Sequence, residues 1–339
     1  MKSLIFFIIT NLFISSFASA ETLRDQLRKN IEEKIEQKIQ EKEAPKVTPN
    51  TDQKILRIDD YIFSLKVGEY DRYYKVHVPN KYDAKKAIPI LFVFHGGGSD
   101  MEIQSTEKYS HQISQSEEGG YLVVFPNGFS RFRSGQIATW NAGKCCAEAR
   151  DKNVDDVLFV KMILDKLKKQ FVIDEKRIFA TGMSNGGMFS YRLACEMSDV
   201  FKGISSVAGT DNTINCTPKK PISIMHIHAK DDGHVLFNGG AGPESQSRYL
   251  VTDYVSVPKT IEKWVKLNGC NEKPKRVIDM KSAYCDLYSP CKDNTEVKLC
   301  VTETGGHSWP GGEKPRPRAD TPTQAISASK LNWEFFQNK

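Results

Sequence analysis

One pentapeptide in the chain has the form Gly-x-Ser-x-Gly: Gly182-Met183-Ser184-Asn185-Gly186. A serine hydroxyl is a weak nucleophile at neutral pH, so the chemistry it suggests needs a base to take its proton and an acid to orient the base. The segment before it, Arg177 to Thr181, reads as a strand, and the residues after Ser184 read as a helix. A sharp strand-to-helix turn lifts a serine oxygen clear of a sheet. Glycines suit the flanks of such a turn because side chains there would meet the neighbouring backbone. Asn185 opens the helix, where a backbone N–H has no helical partner and can hold an oxyanion.

With the nucleophile on such a turn, acid and then base follow it along the chain. Of the seven histidines, His77, His95 and His111 precede Ser184. His226 and His228 fall inside the predicted strand Ile222 to His228, and His234 lies too close to the acid candidates. His307 remains, in Gly305-Gly306-His307-Ser308-Trp309-Pro310-Gly311-Gly312, on a glycine-rich loop after the predicted strand Glu296 to Val301. The acid belongs just after His228, where Asp231 and Asp232 both qualify on spacing. A second oxyanion donor belongs to His95-Gly96-Gly97-Gly98, after the apolar run Ile88 to Phe94; Gly97 is the expected donor and Gly98 the near alternative. Trp140 and Trp309 are candidates to line an acyl pocket.

Two other classes compete. His226 and His228 point to one face of a strand, and with Asp231, Asp232 and His234 they approach the H-x-H-x-D-H pattern of metal-dependent hydrolases. Position 230 is lysine where that pattern needs aspartate, so no metal is expected, and no cofactor. A non-catalytic binding module is the third class, and a complete triad is hard to explain in one.

Strands and helices alternate from about Lys54. Expected strands run from Ile55 to Val67, Tyr73 to Val78, Ile88 to Phe94, Tyr121 to Phe125, Arg177 to Thr181, Gly203 to Val207, Ile222 to His228 and Glu296 to Val301. Expected helices cover Asn153 to Phe171, the residues after Ser184, Lys259 to Leu267 and Ala325 to Phe336. This order implies an α/β fold with a mostly parallel sheet and helices on both faces. The division expected is a signal peptide over 1–20, a charged helical segment and linker over 21–54, and a catalytic domain over 55–339. Residues 1–20 have a lysine, an apolar run and Ala18-Ser19-Ala20, the pattern of an export signal cut near Ala20. That places the mature protein outside the cytoplasm, secreted or periplasmic. Leu23, Leu27, Ile31, Ile35 and Ile39 make an apolar stripe over 21–44 that can pack on the body or on a second copy.

The chain has 339 residues, 39% hydrophobic and 27% charged, an ordinary globular balance that excludes wholesale disorder and a multi-span membrane protein. Its net charge of +6 is dispersed, so no nucleic-acid partner is expected, and no membrane span is expected in the mature chain. Eight cysteines in an exported chain read as disulfides. Cys145 and Cys146, being adjacent, are expected to take separate partners, one of them Cys195. Cys270, Cys285, Cys291 and Cys300 are expected to staple a late excursion.

From about residue 57 onward the chain resembles the secreted α/β-hydrolase esterases grouped as polyhydroxybutyrate depolymerases, feruloyl esterases and acetyl xylan esterases. The resemblance rests on Arg72 to Pro79, His95 to Gly98, Trp140 to Cys146, Val154 to Val157, Gly182 to Gly187, His226 to Gly240 and Gly305 to Gly312. The Gly-Gly-His-x-Trp-Pro-Gly-Gly block is its most specific part. It implies an α/β-hydrolase fold and hydrolysis of a carboxylic ester, small or oligomeric, through Ser184, His307 and an acid. Laid on His228-Ala229-Lys230-Asp231-Asp232, the family's His-Gly-Thr-x-Asp selects Asp232. Ala229-Lys230 and Leu236-Phe237 depart from the family's Gly-Thr and Pro-Tyr, which leaves the triad intact and the substrate open.

Overall fold

A computed structural model describes residues 26–27, 29–48, 53–55, 57–245 and 253–339. The expected export signal lies outside the described residues. The chain divides into two units, residues 1–44 with 132–134, and residues 45–131 with 135–339. In the first, residues 26–27 and 29–40 are helical, as their apolar spacing predicts. Among the described residues no helix is long and apolar enough to cross a membrane.

The second unit is built on a ten-stranded sheet. Its strands are β1 (Asp60–Val67), β2 (Tyr70–His77), β3 (Ile88–Phe94), β4 (Leu122–Pro126), β5 (Ile173–Met183), β6 (Gly203–Val207), β7 (Ser223–Ala229), β8 (Lys275–Met280), β9 (Ala283–Tyr288) and β10 (Val297–Thr302). They lie in the order β1-β2-β4-β3-β5-β6-β7-β10-β9-β8. From β4 to β10 all neighbours run parallel, and β1-β2 and β9-β8 close the two ends antiparallel.

Every residue of β3 is buried, and alternate residues enter different cores. Ile90, Phe92 and Phe94 pack with Val160, Phe189 and Trp264 from the helices Asp156–Gln170, Asn185–Glu196 and Val257–Asn268. Leu91 and Val93 pack on the other face with Leu331 and Phe335 of the helix Ala328–Phe336. A strand covered on both faces has no polar side to show, which is why its sequence is a continuous apolar run. Helix starts are set locally: Asp155 accepts from the Leu158 N–H at 2.8 Å, and Ser256 from that of Lys259 at 3.3 Å.

Several expected boundaries move. Ile55 is buried but precedes β1, donating its N–H to Gln170 O instead of joining the sheet. Short helices at Met101–Gln104, Glu107–Ser110 and Gln112–Gly119 occupy a stretch too polar to show helical periodicity. The cysteine-rich excursion is the β8–β9 hairpin. Its outer strand Lys275–Met280 is mostly exposed and charged, so it lacks the apolar alternation of a half-buried strand. All eight cysteines are paired. Cys270–Cys291 and Cys285–Cys300 staple the excursion. Cys145 and Cys146 bond to each other, against the expectation of separate partners, because Cys195 meets Cys216.

β2 and the helix Asp156–Gln170 are joined by a fully buried ion pair, Arg72 Nη2 to Asp156 Oδ1 at 2.7 Å. Asp156 Oδ2 also accepts the Asn141 N–H at 2.8 Å, and the Arg72 guanidinium lies 4.4 Å from the Phe159 ring centroid. Removing one partner strands the other charge in the core, whereas removing both does not. Asp156→Ala is therefore expected to cost about 3–5 kcal/mol in urea unfolding, and Arg72→Met combined with Asp156→Ala to cost less than that single change.

Candidate active site

Ser184 follows β5 directly and caps the helix Asn185–Glu196 with φ 53° and ψ −120°. No L side chain sits comfortably there, so the surroundings must hold it. The Ser184 N–H donates to Val207 O of β6 at 2.7 Å. A Cβ on Gly182 would come within 2.5 Å of the Gly186 carbonyl carbon, and one on Gly186 within 2.5 Å of His95 O. Only hydrogen fits at those two positions, so the turn can press against β3 and its loop.

Beside Ser184 the structure brings together His307 and Asp232. Ser184 Oγ donates to His307 Nε2 at 2.8 Å, and His307 Nδ1 donates to Asp232 Oδ2 at 2.8 Å. Asp232 Oδ1 accepts the N–H groups of His234 and Val235 at 2.8 and 2.9 Å. Asp232 is 2% exposed. Burial would raise its pKa, but the charge and hydrogen bond of His307 and the bond from His228 outweigh it and hold the carboxyl well below the ordinary range. Asp231, equivalent on spacing, points elsewhere: its carboxylate accepts the Gly306 N–H at 2.9 Å and so anchors the histidine's loop. Asp320, which sequence reasoning missed, accepts the His307 N–H at 2.6 Å; nothing in the residues near it marks this role.

The loop His95–Gly98 approaches the turn from β3. A Cβ on Gly97 would lie 3.5 Å from Asn185 Cβ, so the two backbones run side by side. The Gly98 N–H is given to Ala138 O at 2.9 Å. His95 is fully buried; Nδ1 donates to Gly96 O and Nε2 accepts the Gly128 N–H, both at 2.8 Å. Burial drives its pKa down to about 4, keeping the ring neutral as both bonds require.

Trp140 and Trp309 are corrections to the sequence reading. Both are buried, at 0% and 1% exposure, so neither ring reaches an open cleft. Trp309 Nε1 donates to Ser329 Oγ at 3.0 Å inside the core. Trp140 acts on the site through its backbone. Its N–H donates to Asn185 Oδ1 at 2.7 Å, Asn185 Nδ2 donates to its carbonyl at 3.0 Å, and its indole N–H donates to His95 O at 3.0 Å.

The metal-site alternative fails on geometry. His226 and His228 are buried, with His226 Nε2 bonded to His228 Nδ1 at 3.0 Å. Their other nitrogens meet Tyr191 Oη and Val235 O, each at 2.8 Å. His234 stands apart from them, its ring centroid 4.9 Å from that of His307. Burial, then the nearby His307, lower its pKa. Among the described residues His234, Glu244 and Asp320 come near one another, as do Cys195, Asp211 and Cys216. Asp320 is committed to the His307 N–H, and the two cysteines to their disulfide.

A parallel sheet with a Gly-x-Ser-x-Gly turn at the end of a central strand defines an α/β-hydrolase. The fold is shared with the acetyl xylan esterase of Aspergillus awamori, at a TM-score of 0.55 and 13% identity over 82% of this chain and 99% of that one. Residues 68–260 match the Esterase family, and the chain belongs to that family of carboxylic-ester hydrolases. It is 28% identical over 246 residues to "Feruloyl esterase B" of Piromyces equi, covering 70% of this chain and 43% of that protein, so it spans less than half of that relative's length. It is 27% identical over 270 residues to "Probable feruloyl esterase C" of Aspergillus clavatus, covering 78% of this chain and 83% of that protein.

Two buried histidines, His95 and His226, cost the fold stability as pH falls, while at His77 burial is outweighed by the bonds to Asp60 and Glu117, which raise its pKa, so that it acts in the other direction. An unfolded chain protonates His95 near its ordinary 6.5, but the folded chain only near 4. The unfolded state therefore binds more protons between those values, and stability falls as pH falls. His226, whose pKa burial holds well below ordinary, acts in the same direction. The melting temperature is expected to drop by about 5 °C or more between pH 7.5 and 4.5. In a His77→Gln background, where the opposing group is gone, a melting temperature flat across that range would contradict the neutral, buried state of both rings.

Proposed function

We propose that the chain hydrolyses carboxylic esters with Ser184 as nucleophile, His307 as general base and acid, and Asp232 as orienting carboxylate. The unbroken bond series from Ser184 Oγ through His307 to Asp232 carries this reading, both steps being 2.8 Å. His307 Nε2 takes the serine proton as Oγ attacks the ester carbonyl. Asp232 keeps Nδ1 protonated and stabilises the imidazolium. The N–H groups of Asn185 and Gly97 receive the tetrahedral oxyanion. His307 then gives its proton to the departing alcohol, and the same ring activates water to release the acid.

The names of the relatives favour feruloyl or acetyl esters over aliphatic oligoesters of the polyhydroxybutyrate type. The N-terminal pattern and the pairing of all eight cysteines support export, with residues 55–339 as the catalytic domain. The substrate test compares p-nitrophenyl acetate, methyl ferulate and hydroxybutyrate oligomers. Preference for the oligomers would reverse that order.

Ser184→Ala is expected to lower kcat on p-nitrophenyl acetate by about 10⁴-fold or more and to abolish phosphonate labelling, with the circular dichroism spectrum unchanged. Retention of more than about a hundredth of the rate would remove Ser184 from the role. Asp232→Asn is expected to cost about 10³- to 10⁴-fold, and Asp231→Asn less than about tenfold, since it holds a loop and not the imidazole. Equal losses would show that the carboxylate roles are shared.

A further inference from the structure

Behind Asp232 lies a chain of buried polar side chains that the triad does not use. Tyr191 sits on the helix that Ser184 opens, two turns from the nucleophile, and Tyr191 Oη lies 2.8 Å from His226 Nδ1. His226 Nε2 lies 3.0 Å from His228 Nδ1, and His228 Nε2 lies 2.8 Å from Val235 O and 3.3 Å from Asp232 Oδ2. Tyr191 and His226 are 0% exposed and His228 1%.

The protons in this series follow by elimination. Val235 O can only accept, so His228 Nε2 carries a hydrogen. If His228 Nδ1 also carried one, it would donate to His226 Nε2. His226 Nδ1 would then donate to Tyr191, and the tyrosine hydrogen would have no acceptor along this series. The opposite order satisfies every group: Tyr191 donates to His226, His226 to His228, and His228 to Val235 O and Asp232. Burial raises the pKa of Tyr191 well above its ordinary value, and burial followed by the nearby His228 lowers that of His226, so both are neutral.

We propose that Tyr191, His226 and His228 form a directional positioning relay that holds the Asp232 turn in register with the nucleophile helix. This rests on the triad reading above. The Val235 carbonyl that His228 holds belongs to the residue whose N–H holds Asp232 Oδ1. His228 thus fixes the carboxylate through both the turn and the second oxygen. The far end of the relay is anchored in the helix that carries Ser184, so the distance between acid and nucleophile is set by bonded side chains as well as by the sheet. A misplacement of about 1 Å at a reacting centre costs on the order of 100-fold in rate.

The test separates bonding from space-filling. Glutamine carries a donor group and an acceptor group, and so can replace both bonds of a neutral histidine, whereas leucine carries neither. On p-nitrophenyl acetate, His228→Leu is expected to lower kcat by about 10- to 100-fold with KM changed less than about threefold. His228→Gln is expected to recover most of that loss, and Tyr191→Phe, which removes one oxygen, to lower kcat by about three- to tenfold. The rate of Ser184 phosphonylation should fall in the same order. If His228→Leu does not fold, Tyr191→Phe and His228→Gln decide. Wild-type kcat in Tyr191→Phe, or equal rates for the leucine and glutamine variants, overturns the relay while Ser184→Ala remains inactive. Activity surviving in Ser184→Ala overturns the triad reading, and the relay with it.

Discussion

At Ser184 the backbone is held at φ 53° and ψ −120° between a strand and a helix, and much of the fold is arranged to keep it there. Such a conformation costs on the order of 1–3 kcal/mol and persists only when its surroundings over-determine it. β6 receives the serine N–H, and the bare Cα atoms of Gly182 and Gly186 let the helix start against β3. The parallel strands deliver the remaining parts to the same edge. β3 ends in the His95–Gly98 loop, β7 leads to Asp232 and β10 to His307. The rigidity of the turn explains why flexible-looking glycine loops can place polar atoms within hydrogen-bond range of one another.

How much of this was legible in the sequence depended on whether a residue's role left a local trace. The parallel sheet could be read because strands buried on both faces are continuously apolar, as at Ile88–Phe94. Ser184 and His307 stood out through their glycine neighbours, which exist because backbone passes close by. Asp231 and Asp232 could not be separated by spacing, since the difference lies in which carboxylate turns inward to collect the N–H groups of His234 and Val235. The two tryptophans were misjudged because an aromatic beside a motif looks the same whether its ring faces a cleft or the core. The β8 strand was hidden by its exposure and charge.

The His226-x-His228 pair shows the same limit from another side. Two histidines on one strand face are what a metal site needs, and also what a directional hydrogen-bond series needs. Only the positions of Tyr191 and Val235 O decide between them, one 35 residues before His226 and the other seven after His228. A neutral histidine has one donor and one acceptor in fixed geometry, so it can pass direction along a buried series where a lysine, which has no acceptor, cannot.

The paired hydrogen bonds between Asn185 and the backbone of Trp140 bear on how a chain of this kind can diverge. Position 185 touches the segment 140–146 and, through the Trp140 indole, the loop after β3. Three stretches distant in sequence are thereby committed to one another, and drift in any one of them alone breaks bonds in the other two. Variation that retunes substrate preference has more freedom at side chains that make none of these bonds. Lineages built on this scaffold should therefore keep the asparagine and its tryptophan as a linked pair while the rim around them changes.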